Sequence, residues 1–124
     1  MSERQTILIV EDDEDLRRLF RTALALAGYD VIEAGDGLEA LQRIEEAPPR
    51  LVILDLVLPG YSGIMVRQEL AAQSLTRHIP VVVITGSYVP DDLQVDCVLR
   101  KPIAIEQLIT TIRRCLASPA GDAV

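Results

Sequence analysis

The 124-residue chain has no tryptophan, a single phenylalanine and three tyrosines. That is too few aromatic faces for a stacking platform that holds bases or sugars. Its two cysteines, Cys97 and Cys115, lack CxxC spacing, and one histidine, His78, leaves no His/Cys set for zinc. Both cysteines read as buried small apolar groups. His78, in a loop beside Ile79-Pro80, reads as a surface residue. No apolar run approaches the ~18 residues of a membrane span. The start, Met1-Ser2-Glu3-Arg4-Gln5, lacks the long apolar core of a signal peptide. A cytoplasmic protein without a membrane partner is expected. Positive charge is the scarcer sign: 12 Lys and Arg stand against 19 Asp and Glu, a net of -7. Such a surface repels phosphate backbones, so nucleic acid is not an expected partner.

Aliphatic side chains, in contrast, are plentiful, and 49% of the residues are hydrophobic. A chain of this length forms one domain and buries enough surface to fold without a disulfide or metal staple. Ile7–Val10, Leu51–Leu54, Val81–Ile84 and Cys97–Leu99 are nearly apolar throughout, the pattern of parallel strands covered on both faces. Asp30–Ala34 mixes Val31-Ile32 with Asp30 and Glu33 and reads as an edge strand. Between these runs the apolar period becomes helical. Leu16, Leu19, Phe20, Ala23, Leu24 and Ala27 form one stripe, stopped by Gly28. Leu38, Leu41 and Ile44 mark a second helix before Pro48-Pro49. A third runs from about Ser62 to Gln73 with Val66 and Leu70 inward. Ile105, Leu108, Ile109, Ile112 and Leu116 mark the last. The tail Ser118–Val124 reads as frayed.

Alternation of this kind predicts an α/β domain with a parallel sheet between two helical layers. Strand order 2-1-3-4-5 leaves the mixed-polarity second strand at an edge. The crossover between Ile84 and Cys97 is exceptional. It is about the minimum length for a whole crossover and contains Pro90, so the fourth helix is expected to be missing or cut to a turn or two over Asp91–Val95.

In open sheets of this type, ligands sit beyond the carboxyl ends of the strands. Here those ends carry Glu11-Asp12-Asp13, Asp55, Thr85 and Lys101-Pro102. Clustered carboxylates call for a hard cation, and Mg2+ suits them because it takes one or two carboxylates and leaves positions for phosphate oxygens. Three carboxylates, one lysine and a divalent cation sum to zero charge. Asp55 ends a buried strand, where a carboxylate is costly without a partner, and it can act as a nucleophile toward phosphorus. Phosphoryl transfer needs little more than alignment and charge neutralisation. Taken singly, the acidic run reads equally as a helix cap, and Thr85-Gly86 as an ordinary turn.

Together the motifs Ile7-Leu8-Ile9-Val10-Glu11-Asp12-Asp13, Asp55-Leu56-Val57-Leu58-Pro59-Gly60-Tyr61-Ser62-Gly63, Thr85-Gly86 and Lys101-Pro102 resemble the receiver domain of bacterial two-component response regulators. The resemblance covers residues 6 to about 116. It implies a flavodoxin-like (βα)5 sandwich over residues 1–118, with 119–124 as a flexible tail. Asp55 resembles the phosphoacceptor, Glu11 and Asp12 the acidic pair that holds Mg2+, and Val57 the residue whose backbone carbonyl joins them. Thr85 resembles the switch hydroxyl. Lys101 resembles the lysine that binds the phosphoryl group, followed by a proline that in the family usually ends a cis peptide. Asp13 is expected beside the metal pair or facing solvent. The partners implied are a histidine kinase or a histidine phosphotransfer protein, and a downstream protein bound in trans, since no effector region follows the last helix. A monomer or weak dimer is expected. A stand-alone regulator and a receiver excised from a hybrid kinase would look identical.

Two positions depart from that pattern. Val98 stands where the family usually carries Tyr or Phe, and the shortened crossover lies where a helix commonly serves output. A receiver fold that docks constitutively without switching is therefore an open alternative. An aspartate-nucleophile phosphatase of the haloacid dehalogenase type fits less well, because the residue two past Asp55 is Val57 rather than an acid. A flavodoxin-like carrier fits least, because Glu11-Asp12-Asp13 would repel a phosphate. The chain reads as a phosphoacceptor and not as an enzyme with a turnover of its own.

Overall fold

Three helices begin where a short polar side chain caps them. Asp13 accepts from the Leu16 N–H at 3.1 Å, Asp36 from Glu39 at 2.8 Å and Ser62 from Met65 at 3.2 Å. Each side chain satisfies an amide that has no partner inside its helix. In the computed structural model, which describes residues 4–117, the chain runs β1 (Thr6–Val10), α1 (Glu14–Leu26), β2 (Asp30–Ala34), α2 (Gly37–Glu46), β3 (Leu51–Asp55), α3 (Gly63–Ala72), β4 (Val81–Thr85), β5 (Cys97–Arg100) and α4 (Ile105–Ala117). Gly28, at φ 105°, ends α1 in the left-handed conformation that a side chain disfavours.

All strands are parallel, in the order β2-β1-β3-β4-β5, as the pattern predicts. Every residue of β3 and β4 is buried, whereas β2 and β5 are partly exposed edges. Strand alternation divides the apolar side chains between two layers. Leu8, Val10, Val52, Leu54 and Val83 meet α2 and α3 through Ile44, Val66 and Leu70. Ile7, Ile9, Ile53, Ile84 and Leu99 meet α1 and α4 through Phe20, Leu24, Leu108 and Ile112.

The segment from Gly86 to Asp96 contains no helix. It makes one turn, in which the Leu93 N–H donates to the Pro90 carbonyl at 3.1 Å, and then enters β5. Pro90 and the short span account for this. The turn-or-two expected over Asp91–Val95 reduces to that single bond.

Two readings need correction. Cys97 and Cys115 are half-buried rather than enclosed, because both sit at the margin of the α1/α4 layer. Leu19 and Leu38 lie on helices as expected but face solvent. His78 is exposed, as expected. The expected tail, Ser118–Val124, lies outside the described residues. No helix among the described residues is long and apolar enough to cross a membrane.

Candidate functional site

Four neighbouring strands deliver polar residues to one edge of the sheet. Immediately after β1, Glu11 is 0% exposed, while Asp12 and Asp13 face solvent. Asp55 ends β3 at 4% exposure, and Thr85 ends β4 fully buried. Lys101 follows β5, and its peptide to Pro102 is cis.

Lys101 reaches back across the sheet edge to both buried acids. Its Nζ lies 2.7 Å from Asp55 Oδ2 and 2.6 Å from Glu11 Oε1. The bond to Asp55 has hydrogen-bond geometry. The contact to Glu11 is a close ion pair, so the one ammonium serves a carboxylate oxygen of each buried acid. The remaining oxygens are held by backbone. Asp55 Oδ1 accepts from the Val57 N–H at 3.0 Å, and Glu11 Oε2 accepts from the Asp13 N–H at 3.0 Å. Asp13 thus caps α1 and braces Glu11 through its amide.

Burial pushes the Glu11 carboxyl above the usual carboxylate range, and the negative charge of Asp55 adds to the shift. The Lys101 and Asp13 bonds oppose it without prevailing. Burial by itself would lower Lys101, but its bonds to Asp55 and Glu11 outweigh that and raise it. The lysine is therefore charged at neutral pH.

Glu11, Asp12 and Asp55 each offer an oxygen within 4.8 Å of the others. All are hard oxygen ligands, and three carboxylates share one lysine as their counter-charge, so this donor set fits Mg2+. Val57 is 60% exposed; its N–H faces Asp55, and its carbonyl accepts no backbone bond from a described residue. Thr85 lies at the same edge, but its hydroxyl bonds to Ser87 Oγ at 3.0 Å and accepts from the Ser87 N–H at 3.2 Å. No hydrogen bond among the described residues joins this hydroxyl to Lys101, Asp55 or Glu11.

Sequence reasoning did not single out Gly63, which is essential to this geometry. A Cβ there would stand 2.2 Å from the Asp55 carbonyl, so α3 can approach the end of β3 only with glycine at its first position. The signal was the spacing within the quoted motif from Asp55 to Gly63.

The doubly wound sheet and the acid–lysine cluster at its carboxyl edge define a class of small signalling domains built around an acidic pocket. The chain belongs to the response regulator receiver domain family, whose model matches residues 7–113. It is 34% identical over 125 residues to the polar-differentiation response regulator DivK of Brucella ovis, covering 96% of this chain and 98% of that protein. It is 37% identical over 120 residues to the "Probable transcriptional regulator ycf27" of Porphyridium aerugineum, where 92% of this chain spans 49% of the relative. The chain thus accounts for about half the length of that second protein.

Two solved structures are similar. One is the signal receiver domain of a signal transduction histidine kinase from Syntrophus aciditrophicus, at TM-score 0.87, 26% identity and 94% and 93% coverage of this chain and that one. The other is the receiver domain of sensor histidine kinase PA1611 from Pseudomonas aeruginosa, crystallised with a magnesium ion coordinated in its active-site cleft. It matches at TM-score 0.86 and 25% identity, covering 94% of this chain and all of that one. Receiver domains bind Mg2+ in their acidic pocket and work in two-component signalling, as signalling proteins rather than classical enzymes. Family membership sets aside the dehalogenase-type phosphatase and the flavodoxin-like carrier.

Proposed function

We propose that Asp55 accepts a phosphoryl group from a phosphohistidine on a histidine kinase or phosphotransfer protein. The observation that carries this reading is the Lys101 ammonium held between two buried acids at the carboxyl edge of the sheet. Asp55 Oδ2 attacks phosphorus as the N–P bond to the donor imidazole breaks, which leaves an acyl phosphate. The Val57 N–H holds Oδ1 and so fixes the carboxylate plane. Lys101 transfers its contact from the carboxylate to a phosphoryl oxygen, a charge-assisted bond. Thr85 exchanges its Ser87 partner for another phosphoryl oxygen. Glu11, Asp12, Asp55 and the Val57 carbonyl would hold Mg2+, which supplies positive charge against the crowded oxygens. The protein thereby promotes its own modification, and its own dephosphorylation, without turning over a substrate.

Residues 1–118 would form the receiver unit with 119–124 as its tail. Output would pass to a protein partner in the cytoplasm, from a monomer or weak dimer, without nucleic acid or membrane. The test is incubation with acetyl phosphate and Mg2+, followed by intact mass measurement. Wild type should gain one phosphoryl group and Asp55→Asn none. Equal uptake by both would overturn the assignment of Asp55. No uptake by wild type would favour a docking module that does not switch.

A further inference from the structure

The proposed magnesium site depends on a segment that leaves β1 and carries two of its carboxylates in succession. The backbone of Glu11 is held at both ends. Its N–H donates to the Ala34 carbonyl of β2 at 3.1 Å, and its C=O accepts from Arg17 Nη1 of α1 at 2.7 Å. The same guanidinium donates through Nε to Glu33 Oε1 of β2 at 3.0 Å. Glu33 in turn receives Arg21 at 3.4 Å through its other oxygen. Asp12 has no such support: no hydrogen bond from a described residue holds its carboxylate. Its direction follows from the Glu11–Asp12 peptide, the one that Arg17 grips.

We infer that Arg17 is a positioning residue for the cation site, fixing the Glu11–Asp12 peptide against β2 so that both carboxylates face Asp55. This inference rests on the magnesium reading above. A planar fork suits the task because it joins two acceptors, one just past β1 and one on β2, which a lysine ammonium on a shorter stem does not reproduce. It also gives Glu33 a role: the acid that breaks the apolar pattern of β2 is the anchor for the fork.

The sign of the effect separates positioning from charge. Arg17 is a cation near a cation site, so its charge alone opposes metal, and neutralising it would tighten binding. Loss of positioning would weaken binding. Mg2+ titration followed by the amide resonances of Asp12 and Asp13 reads the affinity, while urea unfolding in metal-free buffer reads stability. Arg17→Gln should weaken Mg2+ by about tenfold, the scale on which partners behind a metal ligand act. Arg17→Lys should recover part of that loss, and Glu33→Asp, which keeps both charges and shortens the anchor, should weaken binding in the same direction. Equal or tighter binding in folded Arg17→Gln would overturn the inference. If that variant does not fold, unchanged affinity in Glu33→Asp overturns it instead. Absence of any Mg2+ response in wild type overturns the magnesium reading itself, and the inference with it.

Discussion

Among the described residues, Lys101 is the one cation that touches the carboxylates of Glu11 and Asp55. Removing it leaves two buried acids facing each other without a counter-charge. A fully enclosed pair broken in this way costs roughly 3–5 kcal/mol. The Lys101 side chain is 26% exposed, so solvent screens part of the loss, and Lys101→Ala should destabilise the metal-free protein by roughly 1–3 kcal/mol. Urea unfolding measures this, and added Mg2+ should restore part of it by replacing the missing positive charge. Glu11 gives a separate pH signature. Below the ordinary carboxylate value of 4.5, folded and unfolded chains both hold the proton. As pH rises from there through the raised folded value, the unfolded chain releases its proton first, and Glu11 progressively loses its favourable contribution to folding. The stability of wild type relative to Glu11→Gln should therefore fall across this window in metal-free buffer. Lys101 stays charged throughout, since its raised value lies above 10.5 and its contribution is lost only as pH climbs through that value. A flat difference between the two stability curves would refute the burial argument for Glu11.

At the level of elements, the junction of β3 and α3 has little tolerance for a side chain. Gly63→Ala would drive a methyl group to within 2.2 Å of the Asp55 carbonyl, against backbone that has no free rotamer. Overpacking of this kind costs at least about 1–3 kcal/mol, and the shift should also disturb the Asp55 resonances, which nuclear magnetic resonance would record. Wild-type stability and an unmoved Asp55 signal would show that the helix slides freely. The elements themselves were largely legible in the chain. β3 and β4 read as unbroken apolar runs because both their faces are covered, and the polar residues of β2 marked an edge. What stayed hidden were contacts between distant residues. Arg17 and Glu33 are sixteen positions apart, and no helical or strand period links them. The site was legible as four strand endings, but not the turn of the Thr85 hydroxyl toward Ser87, which depends on a loop without periodic signal. Leu19 and Leu38 misled in the other direction: they satisfy a helical period yet face water.

Across the whole molecule, two helices cover each face of the sheet, α2 and α3 on one side and α1 and α4 on the other. The flank beside β5 is closed by Gly86–Asp96 rather than by a helix, and this has a consequence for how the molecule opens. A helix would have placed most of these amides in i to i-4 bonds. Here Ser87 donates to Thr85 Oγ1, Leu93 to Pro90 and Asp96 to Val81, while the N–H groups of Tyr88, Val89, Gln94 and Val95 meet no acceptor among the described residues. Hydrogen–deuterium exchange should therefore be near the free-chain rate at those four amides while β3 and β4 remain protected to the global unfolding limit. Slow exchange at Tyr88 and Val89 would mean that the segment is held by something other than these bonds. The Tyr88 side chain is 75% exposed, so brief chymotrypsin treatment should cut there ahead of Tyr29 and Tyr61. The nicked chain should then still elute as one particle, because β5 remains zipped to β4 and α4 remains seated on its core, so that the protein survives as a complementing pair of fragments divided between its acceptor aspartate and its lysine.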